Sequence, residues 1–305
     1  NRQMTPLSTP LKGALLSLAS FGAYACSDVS IKALGQNLNS FQVMFLAALA
    51  TLPFILAQIF WMNRRASLRP NLPGLTALRV VITLCGSAFV TYTFTHLPLA
   101  QCYAIFFTMP LMITVLAWPL LGEPIDARRG FFVLLGFAGV LIALQPGTTE
   151  FQLAHMTAIG GATTGALNSL ILRKIGHREK AGVILLYPVL GQIAGAGLIM
   201  LILPAIWRPV SLHDGQIVVL MGLLGTVGGL LIIAAYRAAP AIVVAPMQYS
   251  QILWASTLGL IFWGEVPGLM TAIGIGVIIA AGLLLLHAAG RAGHRQSSVE
   301  TVNSP

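Results

Sequence analysis

The sequence predicts an all-α membrane protein of ten transmembrane helices arranged as a 5+5 inverted repeat, and three observations predict it. Of 305 residues, 57% are hydrophobic and 8% charged, against roughly 25% charged in an average soluble domain. A soluble fold of this size needs a charged exterior, so lipid must be the solvent for much of the chain. The apolar runs are continuous rather than alternating, which favours helices over a closed barrel. The third observation is a self-similarity at one offset of 142 residues, which places Ser27 on Ser169 and Lys32 on Lys174.

Cutting the chain at charged and Pro/Gly clusters gives runs near the 20 residues that cross about 30 Å of hydrocarbon. In order they fall near 11–34, 40–62, 74–97, 99–121, 128–145, 153–174, 181–203, 212–236, 241–263 and 268–288. The first run is too long for a signal-peptide core and reads as a retained helix, although Asn1-Arg2-Gln3 precedes Met4. Pro53, Pro110, Pro188 and Pro246 sit inside runs and are expected to kink them. Gly161-x-x-x-Gly165, Gly191-x-x-x-Gly195 and Gly225-x-x-x-Gly229 allow close helix approach. Trp61, Trp118, Trp207 and Trp263 fall near run ends, where aromatic belts form, and Trp254 falls near mid-run. Residues 289–305 are polar and read as a disordered tail. Cys26, Cys85 and Cys102 lie in apolar runs without paired spacing, which suits free buried thiols.

The net charge of +9 is a topology signal. If ten spans alternate sides, fifteen of the 17 basic residues gather on one side, leaving Lys32 and Arg208 on the other. The positive-inside rule makes the first side cytoplasmic, with both termini inside and the tail cytoplasmic. Nucleic acid is therefore not expected as a partner. The lipid bilayer and a small-molecule solute are, and the chain leaves monomer and homodimer both open.

The offset that relates Ser27 to Ser169 also places Gly86 on Gly228, Pro98 on Pro240, and Gly122-Glu123 on Gly264-Glu265. Two units follow, 1–145 and 146–288, each with five spans. Five is odd, so the second unit enters the membrane upside down. Inverted repeats around a central site recur in secondary transporters, because related halves can exchange roles.

Leu97-Pro98-Leu99-Ala100, Pro110-Leu111, Gly122-Glu123-Pro124 and the glycines at 130, 136 and 139 resemble the first EamA-type domain of the drug/metabolite transporter superfamily. Ala239-Pro240-Ala241, Ala245-Pro246, Tyr249, Gly264-Glu265 and Pro267 resemble the second. The resemblance covers nearly the whole chain. It implies ten helices, 5+5 inverted, moving metabolites such as amino acids, usually outward across a bacterial inner membrane. General likeness and length further resemble the YddG-type exporters of aromatic amino acids.

Asp28 is the only acid well inside a span, and an intramembrane carboxylate is a functional hypothesis by default. Lys32, four residues on, offers an ion pair on the same helix face, so coupling and pairing are both open. Glu123 and Glu265 each precede a proline that opens a helix, where a carboxylate complements the helix dipole. Span 3 carries Thr83, Ser87, Thr91 and Thr95 at spacing four, with Tyr92 and His96 beside them, and span 6 adds Thr164 and Asn168. Such hydroxyls often only bond across helices or back to their own backbone. Span 9 concentrates Gln248-Tyr249-Ser250-Gln251 after Pro246, with Trp254 following. The expected substrate site is therefore Tyr92, His96, Asn168, Gln248, Tyr249 and Trp254 around a central cavity.

No GxSxG, HExxH or Walker motif appears, and no metal or cofactor is expected. A membrane-embedded enzyme, or a receptor or structural membrane protein without transport, is the alternative reading. An anionic sugar-phosphate or nucleotide would call for several cations within the spans. Only Arg79 and Lys32 come close, which favours a neutral or zwitterionic solute.

Overall fold

The computed structural model describes residues 9–62, 68–122, 127–145, 152–175, 178–239 and 241–284. Glu123, Pro124, Pro240, Arg64, Arg65 and the tail 289–305 lie outside them. The helices are α1 Thr9–Leu34, α2 Ser40–Met62, α3 Pro73–His96, α4 Leu99–Phe106, α5 Met109–Leu121 and α6 Ala127–Leu144. They continue as α7 Leu153–Ile175, α8 Ala181–Ile202, α9 Leu212–Ala238, α10 Ala241–Val244, α11 Ser250–Trp263 and α12 Leu269–Leu284. Among the described residues, six stretches are long and apolar enough to cross a bilayer, Leu99–Leu120 among them, and Gly130–Leu144 and Leu269–Leu284 are shorter apolar helices.

Among the described residues the chain is an all-α membrane protein of ten spans, and two of those spans are broken. Span 4 breaks between α4 and α5, where Pro110 has no N–H to return to the preceding turn. Span 9 breaks between α10 and α11 in a 3-10 turn, Ala245–Tyr249, which contains Pro246. Pro53 and Pro188 stay inside continuous helices.

Helix boundaries repeat at the same 142-residue offset: α3 ends at His96 and α9 at Ala238, and α5 ends at Leu121 and α11 at Trp263. Gly122 and Gly264 close these last two helices in the left-handed conformation, at φ 71° and 67°. A side chain is disfavoured there, which explains why glycine recurs in both copies. Packing repeats too. The pair α1·α9 has its counterpart in α3·α7, α2·α9 in α3·α8, and α2·α8 maps onto itself.

The two breaks meet near the centre of this arrangement. Phe107, at the first break, packs edge-on against Tyr249, at the second, with ring centroids 5.2 Å apart. These two residues are themselves 142 positions apart. Around them Phe94, Leu99, Tyr103, Ile105 and Ile252 form the largest buried core. On α8, Gly191 and Gly195 make room for Val80 and Leu84 of α3, as their spacing suggests. The periphery is apolar: Leu134, Leu201, Val219 and Leu253 are mostly exposed, as lipid-facing side chains should be.

Candidate functional site

Three helices of the first repeat and two of the second enclose a cavity of about 270 Å³ near mid-span. Thr83, Ser87 and Thr91 face it from α3, Thr164 and Asn168 from α7, and Gln192 from α8. The spacing of four residues puts each set on one helix face. Gln192 Nε2 donates to Ser87 Oγ across the repeats. Arg79, half-buried on α3, donates through Nε to Asn168 Oδ1 at 2.9 Å and through Nη1 to the Ile184 carbonyl. Its Nη2 has no protein partner among the described residues. The cavity thus holds short neutral polar groups and borders one guanidinium.

A second, more polar cavity of about 660 Å³ lies at the end opposite the basic one, lined by Gly35–Phe41, Ala205, Ile206, Arg208, Tyr92 and His96. Tyr92 and His96 stack with centroids 3.9 Å apart, and His96 Nδ1 lies 2.8 Å from both the Tyr92 carbonyl and Thr95 Oγ1. At the basic end, Lys12, Leu16, Phe54, Gln58, Leu230 and Arg237 border an apolar cleft of about 830 Å³.

The buried charges assemble differently from the sequence expectation. Lys32 does not pair with Asp28. Its Nζ pairs with Glu265, donates to the Leu97 carbonyl at 2.9 Å, and lies 5.3 Å from the centroid of the Trp263 ring. Glu265 Oε2 accepts from the Leu99 amide at 3.0 Å. This carboxylate therefore caps a helix, but the helix is α4 in the other repeat, not the one that follows it. Asp28 Oδ2 accepts from the Tyr103 hydroxyl and, at 3.3 Å, from Gln251 Nε2.

Each end of the molecule carries a latch between the repeats. At the basic end, Glu179 Oε2 accepts from the amides of Asn71 and Leu72 at 2.8 and 2.9 Å. Asn71 Nδ2 donates to the Arg178 carbonyl, Lys180 Nζ to the Arg69 carbonyl and the Tyr187 hydroxyl to the Leu68 carbonyl. Glu179 is buried, which pushes its carboxyl up, but the backbone donors and Lys180 outweigh this and hold it below the usual carboxylate range. At the opposite end, Gln42 exchanges two bonds with the Arg208 backbone at 2.7 and 3.1 Å. Asn37 Nδ2 reaches Asp214 Oδ1 at 3.4 Å, while Asp214 Oδ2 closes the capping box of α9 with Ser211.

Of the six residues expected around one cavity, only Asn168 lines the central one. Tyr92 and His96 line the opposite-end cavity. Gln248 is half-buried in the 3-10 turn of span 9. Tyr249 belongs to the core, and its hydroxyl has no partner among the described residues. Trp254 is 39% exposed and lies over Gly22 of α1, so it does not enter the cavity. Consecutive helical residues point in different directions, so the polar run 248–251 spreads around the axis and does not form one cavity wall. Tyr103 went unnoticed because a lone aromatic in an apolar run carries no signal. Gln192 did carry one, being an isolated amide among apolar residues.

A family model for the EamA-like transporter family matches residues 11–145 and again 152–287. The chain belongs to the EamA-like transporter family. It is 24% identical over 294 residues to the S-adenosylmethionine uptake transporter of Rickettsia felis, covering 95% of this chain and 97% of that one. The riboflavin transporter of Vibrio cholerae is 26% identical over 277 residues, 88% of this chain and 91% of its own. The pseudopaline exporter CntI of Pseudomonas aeruginosa is 23% identical over 283 residues, 90% and 95%. One crystal structure shares the fold at TM-score 0.64 with 16% identity, over 92% of this chain and 98% of that one. These relatives carry different solutes in both directions, and none of the three is a YddG-type aromatic amino-acid exporter. Family membership gives a multi-pass membrane transporter and leaves solute and direction to the site itself.

Proposed function

We propose that this protein is a secondary transporter of the bacterial inner membrane that moves a small neutral or zwitterionic metabolite through the central cavity by alternating access. Amino acids, aromatic ones included, are the first class to test, with net movement outward. The observation that supports this best is the cavity between the repeats, where Thr83, Ser87, Thr91, Asn168 and Gln192 offer neutral hydrogen bonds, with Asn168 holding Arg79, whose Nη2 has no protein partner among the described residues. A guanidinium with an open edge suits a carboxylate. The 270 Å³ volume lies just below the roughly 300–1,000 Å³ of ordinary small-molecule sites, which suits a solute of amino-acid size. The units 1–145 and 146–288 act as the two exchanging halves, the basic end faces the cytoplasm with both termini, and Tyr92 and His96 stand at the outer mouth.

The test is flux into and out of proteoliposomes for a panel of amino acids, nucleobases and amines, with S-adenosylmethionine and riboflavin included for the relatives' sake. Asn168→Ala and Gln192→Ala should raise the apparent KM of the carried solute while the protein stays inserted and stable. Full activity of both variants on every carried solute would move the site elsewhere.

A further inference from the structure

We propose that Asp28 is a proton-binding site whose occupancy sets how tightly α1 holds the two broken spans. Three helices from both repeats converge on it: α1 carries Asp28, α4 carries Tyr103 and α11 carries Gln251. The Tyr103 hydroxyl donates to Oδ2, and Gln251 Nε2 lies 3.3 Å from the same oxygen and 3.1 Å from the Tyr103 hydroxyl. Oδ1 has no hydrogen-bond partner among the described residues, and Asp28 keeps part of its surface accessible. One carboxylate oxygen is thus held by two donors and the other by none among the described residues.

Among the described residues no fixed cation pairs with it. Lys32, one turn away, is spent on Glu265. Among the described side chains packed against α1, α2, α4, α10 and α11 contribute no charged group. On α3, Arg79 is held by Asn168 and His96 by Tyr92 and Thr95. On α9, Asp214 and Arg237 stand at the two ends, with His213 beside Asp214. The other titratable neighbours are neutral donors: Tyr24 and Cys26 on α1, Cys102 and Tyr103 on α4, and Tyr249 in the 3-10 turn. An uncompensated carboxylate at membrane depth is costly. A mobile positive charge is the missing partner.

Size decides which one. The three cavities described above are lined by other residues, and the Tyr103 ring is packed against Phe94 and Phe107. An ammonium-bearing solute needs room beside the carboxylate, and a proton needs none. On binding, the proton forms an O–H bond at the carboxyl and cancels its charge. The bonds from Tyr103 and Gln251 then lose their charge assistance and weaken. Helices α4 and α11 are released from α1, and deprotonation restores the clasp. A carrier holding such a site can tie its motion to a proton gradient.

The probe is the proton itself, applied to the full chain in lipid nanodiscs. Infrared difference spectra over an acidifying pH series should show the carbonyl stretch of a protonated carboxyl, and Asp28→Asn should lack it. Hydrogen exchange in Ser250–Trp263 should rise several-fold over the same range in the native protein and stay constant in the variant. If Asp28→Asn does not fold, Tyr103→Phe keeps the carboxyl, removes one donor and should move the frequency of the band. No band in the native protein, an undiminished band in Asp28→Asn, or a frequency untouched by Tyr103→Phe overturns the proposal. A saturable amine that stabilises the protein without any carboxyl band overturns it in favour of an organic cation. None of these readouts requires transport, so failure of the flux panel and failure of this site are separate results.

Discussion

The two latches occupy equivalent places in the two repeats, yet they are chemically opposite. The 142-residue offset puts Asn37 on Glu179 and Leu72 on Asp214. At the basic end the acid sits in the loop before α8 and reaches across to the unsatisfied amides that open α3. At the other end the acid has moved onto the opening helix itself, where it caps α9 and has little left for Asn37. Closure there falls to Gln42, a fully buried amide that bonds a neutral backbone. One fold, used twice, therefore has a charged fastening at one end and a neutral one at the other. An inverted repeat makes the ends equivalent in topology, and sequence divergence makes them unequal in strength.

That inequality can be broken by substitution. Glu179→Ala removes two charge-assisted bonds across the repeats and a third to the neighbouring Lys180 amide, each worth about 1.5–3 kcal/mol. It should lower the thermal stability most and raise hydrogen exchange at Asn71 and Leu72, leaving the Arg208 amide protected. Acid should sharpen the same contrast. Because the Glu179 carboxyl is held below its ordinary range, its contribution is present above that range and is lost as pH falls through the folded value. The amides at 71 and 72 should open in acid, while the Gln42 clasp, which has no titratable member, should not follow. Gln42→Leu removes two neutral bonds of about 0.5–1.5 kcal/mol each and should open the Arg208 amide by exchange without disturbing the basic end. Asn37→Ala should be nearly silent in thermal unfolding, within about 0.5 kcal/mol, because its bond is long and Asp214 keeps its capping box. A large effect of Asn37→Ala beside a small one of Glu179→Ala would reverse the ranking of the two latches.

The spans were legible because lipid imposes length and apolarity on each one locally. The repeat was legible because Gly122 and Gly264 hold a backbone conformation that only glycine adopts easily. Contacts between spans were not. The i, i+4 spacing of Asp28 and Lys32 is a local fact, but their partners, Tyr103 and Glu265, are decided by which helices cross. Glu265 was read correctly as a helix cap and assigned to the wrong helix, since the amide it accepts lies 166 residues away. Thr83, Ser87, Thr91, Thr164 and Asn168 stood out as polar stripes, and they carried the central cavity into view.

The contact between Phe107 and Tyr249 has a kinematic consequence. Residues equivalent by the repeat can touch only where the axis relating the two copies passes between them. In the proposed alternating-access cycle the halves would trade conformations, and everything distant from that axis would sweep through an arc while the axis stayed fixed. The aromatic pair would then be the fulcrum of the rocking motion, unchanged between states while both latches travel. A label-to-label distance across this pair should read the same in either state, even as distances across the latches swap.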